Sequence, residues 1–395
     1  MEQNNQNNND SQISYFAETD FRGEHKRFGI RKKDRRGHMY IVGKTGTGKS
    51  TLISHLMQSD ISNNEGFALI DPHGDLAEKI LGMIPEERKK DVVYFNPGDI
   101  NHTINLNPLE YIRPEDKYLI ASGFIGVMKK IWKDSWGPRM EHILRQTLLS
   151  ILEFPQIATI LWIPKILTDN DLRKRMIGKL DNPQLKEFWL GEFEKYSPYF
   201  RQEAISPVLN KIGQFLSNPQ IRKIFEKPKS SFDIREIMDN GKMLIANLAK
   251  GKIGEDNSAL LGAMLTTKLE LAALSRADMP ENERRNFYLY ADEFPCYITE
   301  SFSSALSEAR KYKLCLILAH QYLNQIDDKT RGAIFGNAGT MISFRVGAED
   351  GDYLSKEFFP EFTMNDFANL SYYHFYTKMM IDGVTSKGFS GRTIF

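Results

Sequence analysis

Residues 43–50 read Gly-Lys-Thr-Gly-Thr-Gly-Lys-Ser, a full G-x-x-x-x-G-K-[ST] phosphate loop, with the apolar run 38–42 before it and an amphipathic stretch from Thr51 after it. Between a strand and a helix, such glycines let successive backbone N–H groups turn towards a polyphosphate, while the helix N-terminus adds positive potential. Lys49 and Ser50 then reach phosphate and Mg²⁺. Gly43, Lys44, Thr45, Gly46, Thr47, Gly48, Lys49, Ser50 and Thr51 are therefore expected to hold a nucleoside triphosphate, with Ser50 on the metal.

Outward from the loop the pattern alternates: strand 38–42, helix 49–60, strand 66–70, helix 75–83, strand 91–95. Such alternation implies right-handed β-α-β units, a parallel sheet and an α/β fold. From 114 to 231 the strand signal gives way to long amphipathic segments, such as 140–152 and 199–216, which reads as an all-helical insertion. Trp132, Trp136, Trp162 and Trp189 fall within it and are expected mostly in its core. Strands resume at 243–248, 287–291, 314–319 and 340–346, separated by helices at 258–275, 301–311 and 330–336. Alternation over 372–381 suggests a half-exposed edge strand. Three domains result: a disordered polar tail over 1–20, a nucleotide-binding domain from 21–113 and 232–395, and the helical insertion 114–231.

The bulk numbers exclude little. A chain of 395 residues with 52 Lys plus Arg against 51 Asp plus Glu is globular and has no global charge bias towards nucleic acid or membrane. The stretch 22–36 is locally basic, with Arg22, Lys26, Arg27, Arg31, Lys32, Lys33, Arg35 and Arg36, and reads either as a nucleic-acid contact or as a solvated lead-in to the first strand. Cys296 and Cys315 fit neither a disulfide framework nor a metal site, which favours a reducing, cytoplasmic compartment. No apolar segment approaches the roughly 20 residues needed to cross a bilayer.

A phosphate loop needs a carboxylate strand beside it, and the run 287–291 ends in Asp292-Glu293. At the C-terminal tip of a buried strand, Asp292 can share the metal with Ser50, and Glu293 can take a proton from attacking water. Such pairs also simply solvate turns; beside the phosphate loop the chemical role is preferred. Gln321 ends the next strand, where an amide can orient water or sense the γ-phosphate. Arg310, at a helix end, reads equally as a cation complementing the helix dipole or as an arginine finger for a neighbouring subunit. In Asp71-Pro72-His73-Gly74-Asp75, Asp75 is expected to cap the following helix, and the roles of Asp71 and His73 stay open. Lys250 and Lys252 lie in a basic stretch, 249–254, expected to be a flexible solvated loop.

In this order, GKTGTGKST, DPHGD, the Asp292-Glu293 strand end, SEARKYKLCLILAHQ and GNAGTMISFRVG resemble the type IV secretion coupling proteins, the TraG/TraD-like conjugative ATPases of the FtsK/HerA superfamily. The resemblance covers nearly everything after residue 21. It implies a RecA-like P-loop NTPase with an inserted all-α domain, ATP and Mg²⁺ as cofactors, a homo-hexameric ring and DNA as cargo. It also implies type IV secretion or relaxosome components as partners. It places Lys49 and Ser50 at phosphate and metal, Asp292 at the metal, Glu293 as catalytic acid/base, Arg310 as a trans-acting arginine and Gln321 as the polar strand end. Coupling proteins commonly carry an N-terminal membrane anchor, and none is visible here, which leaves either a cytoplasmic relative that joins a secretion channel peripherally through another subunit or a motor with a different DNA task such as packaging or defence. Alternatives are a secretion ATPase that energises protein export or assembly, and an NTP-gated module that binds a partner.

Overall fold

A computed structural model describes residues 12–20, 23–111 and 113–394. The chain forms two compact units: one of Met1–Phe95, Ile234–Ala249 and Ala272–Phe395, the other of Asn96–Asp233 and Lys250–Leu271.

Among the described residues all strands belong to the first unit. They are β1 Ile13–Thr19, β2 Arg27–Arg31, β3 Met39–Val42, β4 Gly66–Asp71, β5 Val92–Phe95, β6 Met243–Asn247, β7 Phe287–Asp292, β8 Leu314–His320, β9 Thr340–Ser343, β10 His374–Lys378, β11 Met380–Ile381, β12 Val384–Thr385 and β13 Phe389–Thr393. Eleven make one sheet in the order β2-β1-β13-β10-β9-β3-β8-β7-β4-β6-β5, and β11 with β12 forms a separate hairpin. From β9 to β5 every neighbouring pair is parallel. The central strands β3, β4, β7 and β8 are buried at every position, as strands covered on both faces must be. The apolar faces of the helices Lys49–Ser62 and Asp75–Met83 complete the core through Leu52, Leu56, Leu76 and Ile80.

The other end of the sheet departs from the sequence expectation. Residues 1–11 lie outside the described residues, but Ile13–Thr19, expected within the disordered tail, is a strand. Phe16 and Ala17 are fully buried in it, and burying one such phenylalanine contributes roughly 2–3 kcal/mol. The alternation over 372–381 does mark a strand, yet β10 is no edge: it is antiparallel to β9 on one side and to β13 on the other. Its partner β13, Phe-Ser-Gly-Arg-Thr, carries too little β-propensity to announce itself.

The basic stretch is largely paired within the chain, on the surface at Lys26, Arg27, Arg31 and Lys33 and inside it at Lys32 and Arg35. Lys26 pairs with Glu24, Arg27 with Glu18, Arg31 and Lys33 with Asp382, and Lys32 with Glu65, while Arg36 donates to Asn286 Oδ1 at 3.1 Å. Arg22 lies outside the described residues. Arg35, expected on a wet surface, is 1% exposed. Its guanidinium donates to both carboxylate oxygens of Asp60, to Ser14 Oγ at 3.0 Å and to the Tyr290 hydroxyl at 2.7 Å, and it packs 3.7 Å from the centre of the Tyr288 ring. One side chain thus joins β1, the helix Lys49–Ser62 and β7.

The second unit is helical among its described residues, with Ile143, Leu148, Phe193 and Ile212 in its core. It begins at Asn96 rather than 114 and includes Lys250–Leu271, which the expected limits 114–231 leave out. Side chains explain the difference: Lys268 Nζ donates to the Asn107 carbonyl at 2.7 Å, and Gln214 Nε2 to Asp256 at 3.1 Å. Of the four tryptophans only Trp189 is buried, donating Nε1–H to Ser150 Oγ at 2.8 Å; the other three are half-buried. The expected flexible loop at 249–254 contains the helical turn Lys250–Ile253, with Lys250 3.6 Å from Glu255.

Removing one partner of the Arg35–Asp60 pair strands a charge in the core. Asp60→Asn is expected to lower unfolding free energy by about 3–5 kcal/mol, against at most about 0.5 kcal/mol for Lys356→Ala, which breaks the exposed Lys356–Asp352 pair. Urea titration of both variants measures the contrast; equal losses would deny Arg35 its role.

Candidate functional site

The phosphate loop leaves β3 at Gly43 and enters the helix at Lys49. A Cβ on Gly43 would stand 2.5 Å from Phe344 Cβ, and Gly48 has φ +120°, a conformation that only glycine adopts without strain. Backbone bonds hold the loop in place: Lys44 N–H donates to the Arg345 carbonyl at 2.9 Å, and Tyr373 N–H to the Thr47 carbonyl at 2.8 Å. No side chain caps the helix Lys49–Ser62, so its first N–H groups stay available to an anion. Lys44, Thr45, Gly46 and Ser50 are exposed, Thr51 is half-buried, and Lys49 is buried. Lys49 Nζ donates to the carbonyls of Gly43 at 2.5 Å and Lys44 at 3.2 Å. Burial lowers its pKa, and the charges of Asp292 and Glu293 oppose that shift.

Strand register assembles the opposite wall. β8 lies between β3 and β7, with Val42 beside His320 and Ala319 beside Asp292. Gly43, Gln321 and Glu293 therefore emerge at one edge of the sheet. Asp292 and Glu293 are each 6% exposed. Burial first, then the charges of Glu293 and Asp71, push the Asp292 carboxyl up to about 6, with Lys49 and His73 opposing.

Glu293 sits in the left-handed region at φ +51°, ψ +42°, a costly conformation for a non-glycine residue. Gln321 Nε2 donates to its Oε1 at 2.7 Å and Gln325 Nε2 to its Oε2 at 3.4 Å. The orientation of Gln325 is fixed because its Oε1 accepts from the backbone N–H groups of Gln321 and Tyr322 at 3.0 and 3.2 Å. His320 Nδ1, 3.1 Å from the same oxygen, must carry the proton, leaving Nε2 to accept from the Tyr40 hydroxyl at 2.6 Å. Burial lowers the His320 pKa to about 3, which keeps this ring neutral.

Lys49, Asp292, Glu293 and Gln321 are brought together; Arg310 is not. It is exposed in the turn Arg310–Tyr312, ahead of the first residue of β8, whereas Gln321 follows the last. A seven-residue strand separates them by roughly 20 Å. Among the described residues no hydrogen bond or ion pair of its guanidinium is found; burial and then the Arg310 charge lower the pKa of His38, which enters β3 from the same end, to about 4.

Asp71, not Asp75, caps the helix Asp75–Met83: its oxygens accept from His73 N–H and Ala77 N–H, both at 2.9 Å, whereas Asp75 is in the first turn. Gln325, His320 and Tyr40 went unread in the sequence. The available signal was a second glutamine four residues after Gln321, in the same strand-to-helix loop.

The Asp292 carboxyl holds its proton more tightly folded than unfolded, since its pKa rises from 3.8 to about 6. It costs nothing below about pH 4 and its full penalty is present above about pH 6. Asp292→Asn is therefore expected to stabilise the ligand-free chain by about 3 kcal/mol at pH 7.5 and by little at pH 4. Chemical denaturation at the two pH values decides it; a pH-independent difference would place the Asp292 charge in solvent.

Comparison with known proteins agrees with this geometry. Residues 24–359 match the family described as the type IV secretion-system coupling protein DNA-binding domain. The fold is similar to that of the unbound bacterial conjugative coupling protein TrwBdeltaN70, with a TM-score of 0.67 at 16% identity over 95% of this chain and 88% of that one. The plasmid coupling protein TrwB in complex with ADP and Mg²⁺ gives 0.66 at 16% identity, covering 97% and 95%. VirB4 of Thermoanaerobacter pseudethanolicus gives 0.65 at 14%, covering 96% of each chain. At these identities the likeness establishes a shared fold, the RecA-like P-loop architecture. No curated protein matches the chain significantly in sequence. The family match spans most of the chain and takes in the phosphate loop, the Asp292-Glu293 strand end and Gln321, so the chain belongs to the type IV secretion-system coupling protein family.

Proposed function

We propose that the chain hydrolyses ATP with Mg²⁺ at the subunit interfaces of a homo-hexameric ring and uses the energy to translocate DNA. Family membership supports the coarser part, an NTP-driven DNA-transfer motor of conjugation or type IV secretion. The observation that carries the catalytic part is the Glu293 carboxylate, held by Gln321 and Gln325 at the same sheet edge as Lys49. With one strand between them, the tips of β3 and β7 stand about 10 Å apart, room for a γ-phosphate and its attacking water.

In this reading Lys49 exchanges the loop carbonyls for phosphate oxygens, and the uncapped N–H groups at the helix start receive the phosphates. Ser50 and Asp292 would hold Mg²⁺, which neutralises charge on the β- and γ-oxygens. The residues fit a cation: Asp292 is raised by burial and by two neighbouring carboxylates, a repulsion that a divalent ion relieves. Among the described residues no cluster of three His, Cys, Asp or Glu is arranged to hold a metal, which suits an ion that takes most of its ligands from phosphate and water. Glu293 accepts the proton of the attacking water and Gln321 orients it. Gln325 is a positioning residue, acting through Glu293. The helical unit is proposed as the family's all-α domain. No helix among the described residues is long and apolar enough to cross a membrane, and docking at a secretion channel through partner subunits belongs to the same proposal.

Arg310, roughly 20 Å along β8 from Gln321, is too far to act at its own subunit's site, and in this reading it serves a neighbour's rather than only complementing its helix dipole. Mixing Arg310→Ala with Glu293→Gln subunits, each inactive alone, is expected to restore ATPase activity, because some interfaces then carry both an intact Glu293 and an intact Arg310. No rescue at any mixing ratio would remove the trans role. For the motor itself, ATP turnover is expected to rise on adding DNA and to lose that stimulation steeply with salt, as phosphate contacts require. Turnover indifferent to DNA across the salt range would leave an ATPase with another cargo.

A further inference from the structure

Beside the phosphate loop stands a pair of side chains that the phosphate chemistry does not use. Tyr372, in the segment that leads into β10, is 57% exposed, large for an aromatic ring next to a buried site. The Arg345 guanidinium packs on its ring, 4.5 Å from the centre. Arg345 and Tyr373, the residue that follows Tyr372, are tied to the loop through the backbone: the Arg345 carbonyl accepts from Lys44 N–H at 2.9 Å, and Tyr373 N–H donates to the Thr47 carbonyl at 2.8 Å. The backbone on either side of this pair is therefore anchored to the phosphate loop.

The backbone here is strained. Tyr373 has φ +67°, a left-handed conformation that a non-glycine residue adopts only under strain. It persists because both sides hold it: Thr47 accepts its N–H, and its own carbonyl accepts from Thr393 N–H at 2.9 Å. The consequence is a division between adjacent tyrosines. Tyr373 lies against the phosphate loop, where its Cδ1 would be 3.0 Å from a Cβ on Gly48, and Tyr372 is turned out to solvent. A relaxed strand would not by itself require this arrangement, which leaves an aromatic ring available beside the loop.

We propose that Tyr372, backed by Arg345, is the platform on which the nucleobase of the bound triphosphate stacks. The inference rests on the nucleotide-binding reading above and adds how the base is held. An aromatic ring and a guanidinium recognise the π-face of a base, and such stacking is sequence-tolerant because every base has one. Recognition of this kind favours purines for their area and discriminates little between adenine and guanine.

The test compares ATP with inorganic tripolyphosphate, which offers the phosphates without a base, by titration calorimetry in Mg²⁺ on the whole chain. The wild type is expected to bind ATP more tightly than tripolyphosphate. Tyr372→Ala is expected to weaken ATP about tenfold and to leave tripolyphosphate within about twofold, while Tyr372→Phe retains ATP affinity. Three results would overturn the platform. In one, Tyr372→Ala binds ATP as the wild type does; in another, it loses both ligands in step, which makes Tyr372 a support of the loop. In the third, the wild type binds ATP and tripolyphosphate equally, which removes the platform while leaving the phosphate site intact. Wild type that binds neither ligand removes the nucleotide reading, and the platform with it.

Discussion

The parallel register of β3, β8 and β7 is the constraint on which the rest depends. Val42 stands beside His320, and Ala319 beside Asp292, so the three strands end within a residue of one another. Because side chains alternate along a strand, a slip of one residue would turn every buried position of β8 to the opposite face and move Gln321 away from Glu293. Continuous burial on both faces makes such a slip costly. The same dryness sets the electrostatics: Lys49 is lowered and Asp292 raised for want of water. A lysine that holds its proton less tightly than in water and an aspartate that holds one more tightly lie at the ends of β3 and β7, with β8 between them. Phosphate oxygens and a divalent ion between them would satisfy both.

Two devices hold that edge in place from behind. Arg35 bridges β1, the Asp60 end of the phosphate-loop helix and Tyr290 of β7, so the helix is fixed to the carboxylate strand through one buried guanidinium. At the other side the chain's last strands return to the loop. Tyr373 donates to Thr47, Thr393 donates to Tyr373, and His55 Nε2 of the phosphate-loop helix lies 2.8 Å from the Ile394 carbonyl. The antiparallel strands β10, β13, β1 and β2 therefore do more than extend a sheet: they brace the loop against the first and last described segments of the chain.

Legibility in the sequence followed how local each signal was. The phosphate loop, the strands 66–70 and 287–291 and the helix 75–83 carry their own periodicity and punctuation, and all form nearly where they are expected. β1 was hidden because Ile13–Thr19 follows a polar tract and is stabilised by β2 and β13, partners distant or weak in sequence. The basic stretch reads as wet surface because the carboxylates that take it up, Asp60, Glu65 and Asp382, are remote in the chain. Gln325 escaped for a related reason. A glutamine in a polar loop looks like solvent-facing filler until two backbone N–H groups and a neutral histidine show that its oxygen is already committed.

β8 also sets what one chain can do alone. Gln321 follows its last residue and Arg310 precedes its first by a short turn, so a rigid, fully buried strand separates them. Such a strand has no soft backbone in which to absorb a displacement. In the ring proposed above, β8 carries at one end an amide on its own subunit's general base and at the other a cation for the next subunit's phosphate. A shift of Gln321 as the γ-phosphate comes or goes would then be felt at Arg310 without a dedicated linker. The site's wiring between subunits would be the strand itself.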